Sequence, residues 1–241
     1  MAISREESEQ FWFPLAYFFG AWLGDGWKTW NPYSRHYTVG IKCMDKEIVT
    51  KCFMDVTSHF NDLKDPGVYE EITPSGTKLF KIVFFSKVFT DFVSKATSYK
   101  TEMPSFLWDA PKEVRLDFLA GLMDTDGSIL KQKNSKCKDG FFYRLTFSGT
   151  KGFVKQFPDL CRVIGIKLTG AQEEKHSNVN HATRMIYSIS LPSALANGFK
   201  FYCERKQKRL EDAIARDDSR YDRMTETKMG RLPSETIRPT A

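Results

Sequence analysis

Two stretches of this chain carry the same pattern, and one internal repetition points to two similar halves built around a shared centre. PLAYFFGAWLGDGW (14–27) and RLDFLAGLMDTDGSI (115–129) are both apolar helical runs. Each contains a glycine, Gly20 or Gly121, and closes on an Asp-Gly pair, Asp25-Gly26 or Asp126-Gly127. The segments C-terminal to the two runs match as well. RHYTVGIK (35–42) alternates, with Tyr37, Val39 and Ile41 on one face and His36, Thr38 and Lys42 on the other. That period of two predicts a half-buried strand. Asp45 then stands at a helix N-cap position, and 45–60 has helical apolar spacing. Strands are predicted over 68–72 and 77–85, with Pro74-Ser75-Gly76 as the turn, and a helix over 86–97.

The second half repeats the order. Strands are predicted over 128–133 and 141–148, a helix from a Thr150 cap to Ile164, strands over 166–173 and 184–189, and a helix over 192–201. Each half therefore reads α-β-β-α-β-β-α, an α+β pattern with two pseudo-symmetric halves. The expected boundaries are 11–99 for the first half, 100–112 for a linker with Pro104 and Pro111, and 113–216 for the second half. A polar tail is expected over 217–241.

Glycine inside a helix destabilises it by about 1 kcal/mol relative to Ala, and close helix–helix approach is one compensation. Gly20 and Gly24 share a face, and Ala120, Gly121 and Thr125 offer a matching one. Gly26 and Gly127 are expected to end the helices in the left-handed conformation. Asp25 and Asp126 would then project side by side from the same end of the pair. Two carboxylates at the negative ends of two helix dipoles call for a cation between them. Oxygen ligands suit Mg²⁺, and metals between attacking and leaving oxygens fit phosphodiester hydrolysis. The formal charge of +6 favours a polyanionic partner.

Other chemistries find less support. The five cysteines include no C-x-x-C pair, and the four histidines lack metal-ligand spacing. The cysteines read as reduced thiols of an intracellular protein. The acidic N-terminus is wrong for a secretory signal, and the apolar run 11–23 is too short to cross a bilayer.

LAGLMDTDG (119–127) resembles the LAGLIDADG consensus of the homing endonucleases, departing only at Met123 and Thr125. FFGAWLGDG (18–26) is a more divergent copy that keeps the glycine, the aspartate and the last glycine. The resemblance extends to about residue 216 and implies a monomer with both motifs in one chain. It implies two four-stranded antiparallel sheets forming a saddle over double-stranded DNA, with the motif helices packed at the centre. Asp25 and Asp126 would bind the metals, Mg²⁺ or Mn²⁺ or Ca²⁺ in its place, with the carbonyls of Gly24 and Thr125 as further ligands. Lys100 in YKTEMP and Lys206 in YCERKQKRLE match the family's active-site lysines, with Lys208 a near competitor. Each lysine would polarise the attacking water and stabilise charge on the phosphate. Cys43 and Gly149 stand where many relatives have a polar residue, which would weaken one of the two sites and bias the enzyme towards nicking.

The same resemblance puts Lys28, Arg35, His36, Thr38, Lys42, Lys78 and Lys81 on the first DNA-contacting sheet. Lys131, Lys133, Arg144, Thr146, Arg184 and Ser188 are placed on the second. The hairpin tips 131–140 and 173–183 would contact the backbone. The implied activity is cleavage of both strands at a long asymmetric site, leaving short 3′ overhangs. Alternatives on the same fold are a maturase bound to intron RNA and a non-cleaving DNA-binding regulator. Beginning with Met and lacking splice-junction residues, the chain is expected to be intron-encoded or free-standing rather than an intein.

Overall fold

The computed structural model describes residues 12–31, 36–60, 63–135, 140–150, 152–175 and 183–216. At its centre lie the two motif helices, α1 (Ala16–Asp25) and α4 (Lys112–Thr125), packed on each other. Their contact is backbone to backbone and reciprocal. A methyl group built on Gly20 would fall 2.1 Å from the Phe118 carbonyl oxygen. One built on Gly121 would fall 2.1 Å from the Tyr17 carbonyl oxygen. Neither position has room for a side chain. Every α1 residue from Ala16 to Gly24 is buried, which explains why that helix is apolar all round instead of along one stripe.

Each motif helix runs directly into a strand. Gly26 has φ −71 and ψ 153 and opens β1 (Gly26–Asn31), while Gly127 opens β5 (Gly127–Lys133). The expected left-handed endings are therefore absent, and Gly127 is not among the positive-φ glycines either. The glycines serve another need. A Cβ at Gly26 would lie 2.3 Å from the Trp22 carbonyl oxygen, and one at Gly127 would lie 2.6 Å from that of Met123. Only a residue without a side chain can extend while still pressed on the last helical turn.

The first half continues with β2 (His36–Cys43), α2 (Lys46–Thr57), β3 (Lys64–Ile72), β4 (Lys78–Phe85) and α3 (Lys87–Ala96). The second continues with β6 (Phe141–Gly149), α5 (Phe157–Ile164), β7 (Leu168–Lys175), β8 (Thr183–Ile189), α6 (Leu191–Ala196) and α7 (Glu204–Ala215). The two sheets are antiparallel and have equivalent orders, β1-β2-β4-β3 and β5-β6-β8-β7. Both outer pairs carry a register shift at the same place, Lys64/Gly67 and Leu168/Gly170. The α+β fold with two four-stranded sheets is thus the one expected.

Local details differ for local reasons. Ser86 caps α3 by accepting the Phe89 N–H at 3.2 Å. The helix expected from Thr150 begins instead as a 3-10 turn, Gly152–Gln156, with Pro158 in the first turn of α5. The helix expected over 192–201 stops at Ala196, and Gly198 at φ 84 turns the chain towards α7. Helix α7 was not anticipated because its sequence is mostly charged. It is anchored by Lys206, Leu210 and Ala213, which are buried. No helix among the described residues is long and apolar enough to cross a membrane.

Candidate functional site

Asp25 is the last residue of α1, Asp126 directly succeeds α4, and both are half-buried. The two helix ends touch. A methyl group on Gly24 would lie 2.1 Å from the Thr125 hydroxyl oxygen and 3.3 Å from the Asp126 carboxyl carbon. The Asp126 carboxylate therefore rests against the residue next to Asp25. The two Asp-bearing helix ends are therefore in contact, and carboxylate and carbonyl oxygens of the kind they carry suit a hard divalent cation.

A lysine grips each helix end. Lys100 Nζ donates to the carbonyls of Leu23 (3.2 Å), Gly24 (3.4 Å) and Gly26, and lies 4.6 Å from the centre of the Trp22 ring. Lys206 Nζ donates to the carbonyls of Met123 (2.9 Å), Asp124 (2.6 Å) and Gly127 (2.7 Å). Lys208, the competing candidate, is exposed, whereas Lys206 is 6% exposed. Burial pushes the Lys206 ammonium below the usual lysine range. An ammonium has three N–H donors, and all three of Lys206 are directed at main-chain carbonyls. Those contacts hold the ammonium at the end of α4. Its positive charge offsets the negative end of α4 and acts on the site through space.

Sequence reading passed over Asp124. Its carboxylate is 2% exposed and accepts from the Tyr17 hydroxyl (2.8 Å) and the main-chain N–H groups of Tyr202 (3.0 Å) and Cys203 (3.1 Å). Burial raises its pKa to about 6, against the pull of those hydrogen bonds. Asp124 ties α4 to the segment that delivers Lys206. The signal was available: an acidic residue inside an apolar helix must find partners. The first half joins the same bracket. Glu47 of α2 accepts the Glu204 N–H at the start of α7 (3.0 Å), and Asp45 pairs with Arg205 (3.0 Å). Asp45 occupies the N-cap position of α2 but makes no side-chain capping bond there. Asp45, Glu47 and Cys203 cluster within 4.8 Å, where the Arg205 guanidinium already supplies a cation.

Cys43 donates its thiol to the Asp45 carbonyl (3.3 Å), and burial pushes its pKa up to about 12. A side chain at Gly149 would meet Val154 at 2.8 Å.

Register sorts the candidate DNA-contacting residues, because directly paired residues share a face. Val39, Ile41, Ile82 and Phe84 mark the helix-packed side of the first sheet. Lys28 pairs with Val39, and Lys78 shares the parity of Phe80 and Ile82, so both belong to that side. Lys28 stacks over Tyr99 (3.8 Å) and Lys78 pairs with Glu70 (2.8 Å). Lys131 and Lys133 pair with Tyr143 and Phe141 on the helix-packed side of the second sheet. These four residues are corrections: strand alternation fixes their side, and a count of lysines does not. On the open side lie His36, Thr38, Lys42 and Lys81 of the first sheet, and Arg144, Thr146, Arg184 and Ser188 of the second. Arg35 lies outside the described residues, as do 136–139 and 176–182 of the hairpin tips.

Residues 102–215 match the family model described as homing endonuclease. That match covers the second half of the chain and makes it similar to homing endonucleases. The fold of the chain is similar to those of solved homing endonucleases and meganucleases. A structure of mesophilic variants of the homing endonuclease I-DmoI aligns with TM-score 0.51 at 13% identity, over 77% of this chain and 92% of that one. I-DmoI in complex with DNA and Ca aligns with TM-score 0.52 at 14% identity, over 76% of this chain and 86% of that one. Meganuclease I-SmaMI bound to uncleaveable DNA aligns with TM-score 0.51 at 13% identity, over 90% of this chain and 99% of that one. At these identities the likeness concerns the fold. No curated protein matches the chain in sequence.

Proposed function

We propose that the protein is a site-specific DNA endonuclease that cuts both strands of a long asymmetric target, acting as a monomer inside the cell. The observation that carries this reading is the reciprocal glycine contact. It brings two Asp-bearing helix ends together, each with its own lysine. Beneath the saddle, Asp25 and Asp126 would hold divalent cations, Mg²⁺ or Mn²⁺ or Ca²⁺ in its place, with the Gly24 and Thr125 carbonyls adjacent. Bound there, the metal would supply an activated water and stabilise the leaving oxygen of an in-line displacement. The chain's own contribution is placement. The glycine pair fixes the spacing of the carboxylates, and Lys100 and Lys206 set a positive potential beside the phosphates. Cuts on opposite strands across one groove would leave short 3′ overhangs. The DNA complexes of I-DmoI and I-SmaMI support the duplex as substrate.

The test is cleavage of a duplex selected by binding, with and without Mg²⁺. Asp25→Asn and Asp126→Asn should each lower double-strand cleavage by at least about a hundredfold while binding persists. Double-strand breaks at the normal rate from either variant would refute the assignment.

A further inference from the structure

The open faces of the two sheets differ in chemistry, and the difference says what each reads. On the first sheet the register groups Trp27, Tyr69, Val83 and Phe85 on that face. Tyr69 is 42% and Phe85 39% exposed. Two glycines form the floor under the rings. A Cβ on Gly40 would lie 2.9 Å from the Trp27 ring, and one on Gly67 would lie 3.1 Å from the Tyr69 hydroxyl. The rings thus lie along the sheet and make a smooth apolar surface. The lysines beside them, Lys42 and Lys81, both pair with Glu71 (2.6 and 2.9 Å). That ion triad holds the Glu71 carboxyl at about 2 through its two lysine hydrogen bonds, so it stays ionised.

The open face of the second sheet also carries apolar groups, Leu130, Phe142 and Ile186, but it adds two arginines. Arg144 donates to Ser188 through Nε (3.3 Å) and Nη2 (2.7 Å), and Arg184 donates to Ser148 through Nη2 (2.6 Å). Each serine orients a guanidinium that has five N–H donors in total, which leaves donors for a base edge.

Resting on the endonuclease reading above, we infer that the two sheets read different base chemistry in the major groove. The first reads thymine C5-methyl groups through Phe85, Tyr69 and their neighbours. The second reads guanine O6 and N7 through Arg144 and Arg184. Apolar side chains recognise the thymine methyl, and a fixed guanidinium fork matches the guanine acceptor pair. The target should therefore be A·T-rich in one half and contain G·C pairs in the other.

The experiment selects random duplexes for binding to the full-length protein. The best duplex is then remade with deoxyuridine for thymidine in one half at a time. Selection should return one A·T-rich half. Removing its methyl groups should weaken binding about fourfold per contacted methyl, and more than the same change in the other half. Phe85→Ala and Tyr69→Ala, both at exposed positions, should bind weakly and lose the deoxyuridine sensitivity while melting near the parent. Absence of A·T enrichment, indifference to deoxyuridine, or undiminished sensitivity in both variants would overturn the inference and leave the endonuclease reading standing. A selection that enriches no duplex sequence, or tighter binding to single strands, would remove that reading and this one together.

Discussion

The two lysine grips reach the same end by different routes. Lys100 arrives on a turn in which Ser98, Tyr99 and Lys100 all have positive φ, at 41, 57 and 70. L-residues in that conformation lose about 1–2 kcal/mol each. Lys206 arrives on the first turn of an ordinary helix, and no other non-glycine among the described residues has positive φ. In the second half, hydrogen bonds do what strain does in the first. Asp124 gathers the Tyr202 and Cys203 N–H groups, and Glu47 reaches across from the other half to the Glu204 N–H. At the equivalent place in the first motif stands Leu23, which has no carboxylate to offer. The endpoint kept by both halves is a cation on the helix-end carbonyls. The path to it is free to vary.

The strongest break of this comparison is to remove each cation. Lys206→Met leaves buried helix-end carbonyls without their donor and should lower stability by about 3 kcal/mol. Lys100→Met should cost less, about 1 kcal/mol. The half-buried Lys100 site admits water, and the freed turn can relax to negative φ. Urea unfolding of both variants measures the pair. Equal losses would mean that strain and hydrogen bonding are not the distinguishing features of the two grips.

The Asp124 carboxyl sharpens the comparison through pH, because the first half has no counterpart. Its pKa is about 6 in the folded chain, against an ordinary value of 3.8. Between these values the folded chain binds a proton that the unfolded chain releases. This contribution to stability is fully present below the unfolded pKa and is lost as pH rises through the folded one, by about 3 kcal/mol in all. Asp124→Asn should remove that part of the pH dependence. Unfolding free energies at pH 4.5 and 7 for parent and variant give the difference directly. An unchanged slope would show that the group stays ionised throughout.

How much of this was visible in the chain depends on what each signal encodes. The repeat, the strand alternation of Tyr37–Ile41 and Tyr143–Phe147, and the glycines of the motif helices are local patterns set by burial. They carried the fold and the contact between the two motif helices. Lys28, Lys78, Lys131 and Lys133 were assigned to the wrong face because a strand end is charged on both sides. Only pairing register resolves which side faces the helices. Helix α7 was hidden by its charge, since few of its residues touch the core. Asp124 lay in plain sight within the motif. Its role depends on Tyr17 and on Tyr202 and Cys203, contacts remote in sequence that no local pattern announces.

The smallest expected effect tests the strain itself. Glycine tolerates positive φ, so Ser98→Gly should recover the left-handed penalty of about 1–2 kcal/mol, offset by about 0.5–1 kcal/mol of glycine's greater unfolded-state freedom. The bond lost, Ser98 Oγ to Glu102 at 2.9 Å, is exposed and contributes little. The net expectation is a gain of about 0.5 kcal/mol, read as a higher urea midpoint. The matching change in the second half, Lys208→Gly at an exposed site of α7, should lose about 1 kcal/mol, because a regular helix has no strain to release. Opposite signs for the two substitutions are what the contrast between the grips requires. If Ser98→Gly destabilises as Lys208→Gly does, the turn that presents Lys100 stores no strain, and the first half holds its lysine by contacts alone.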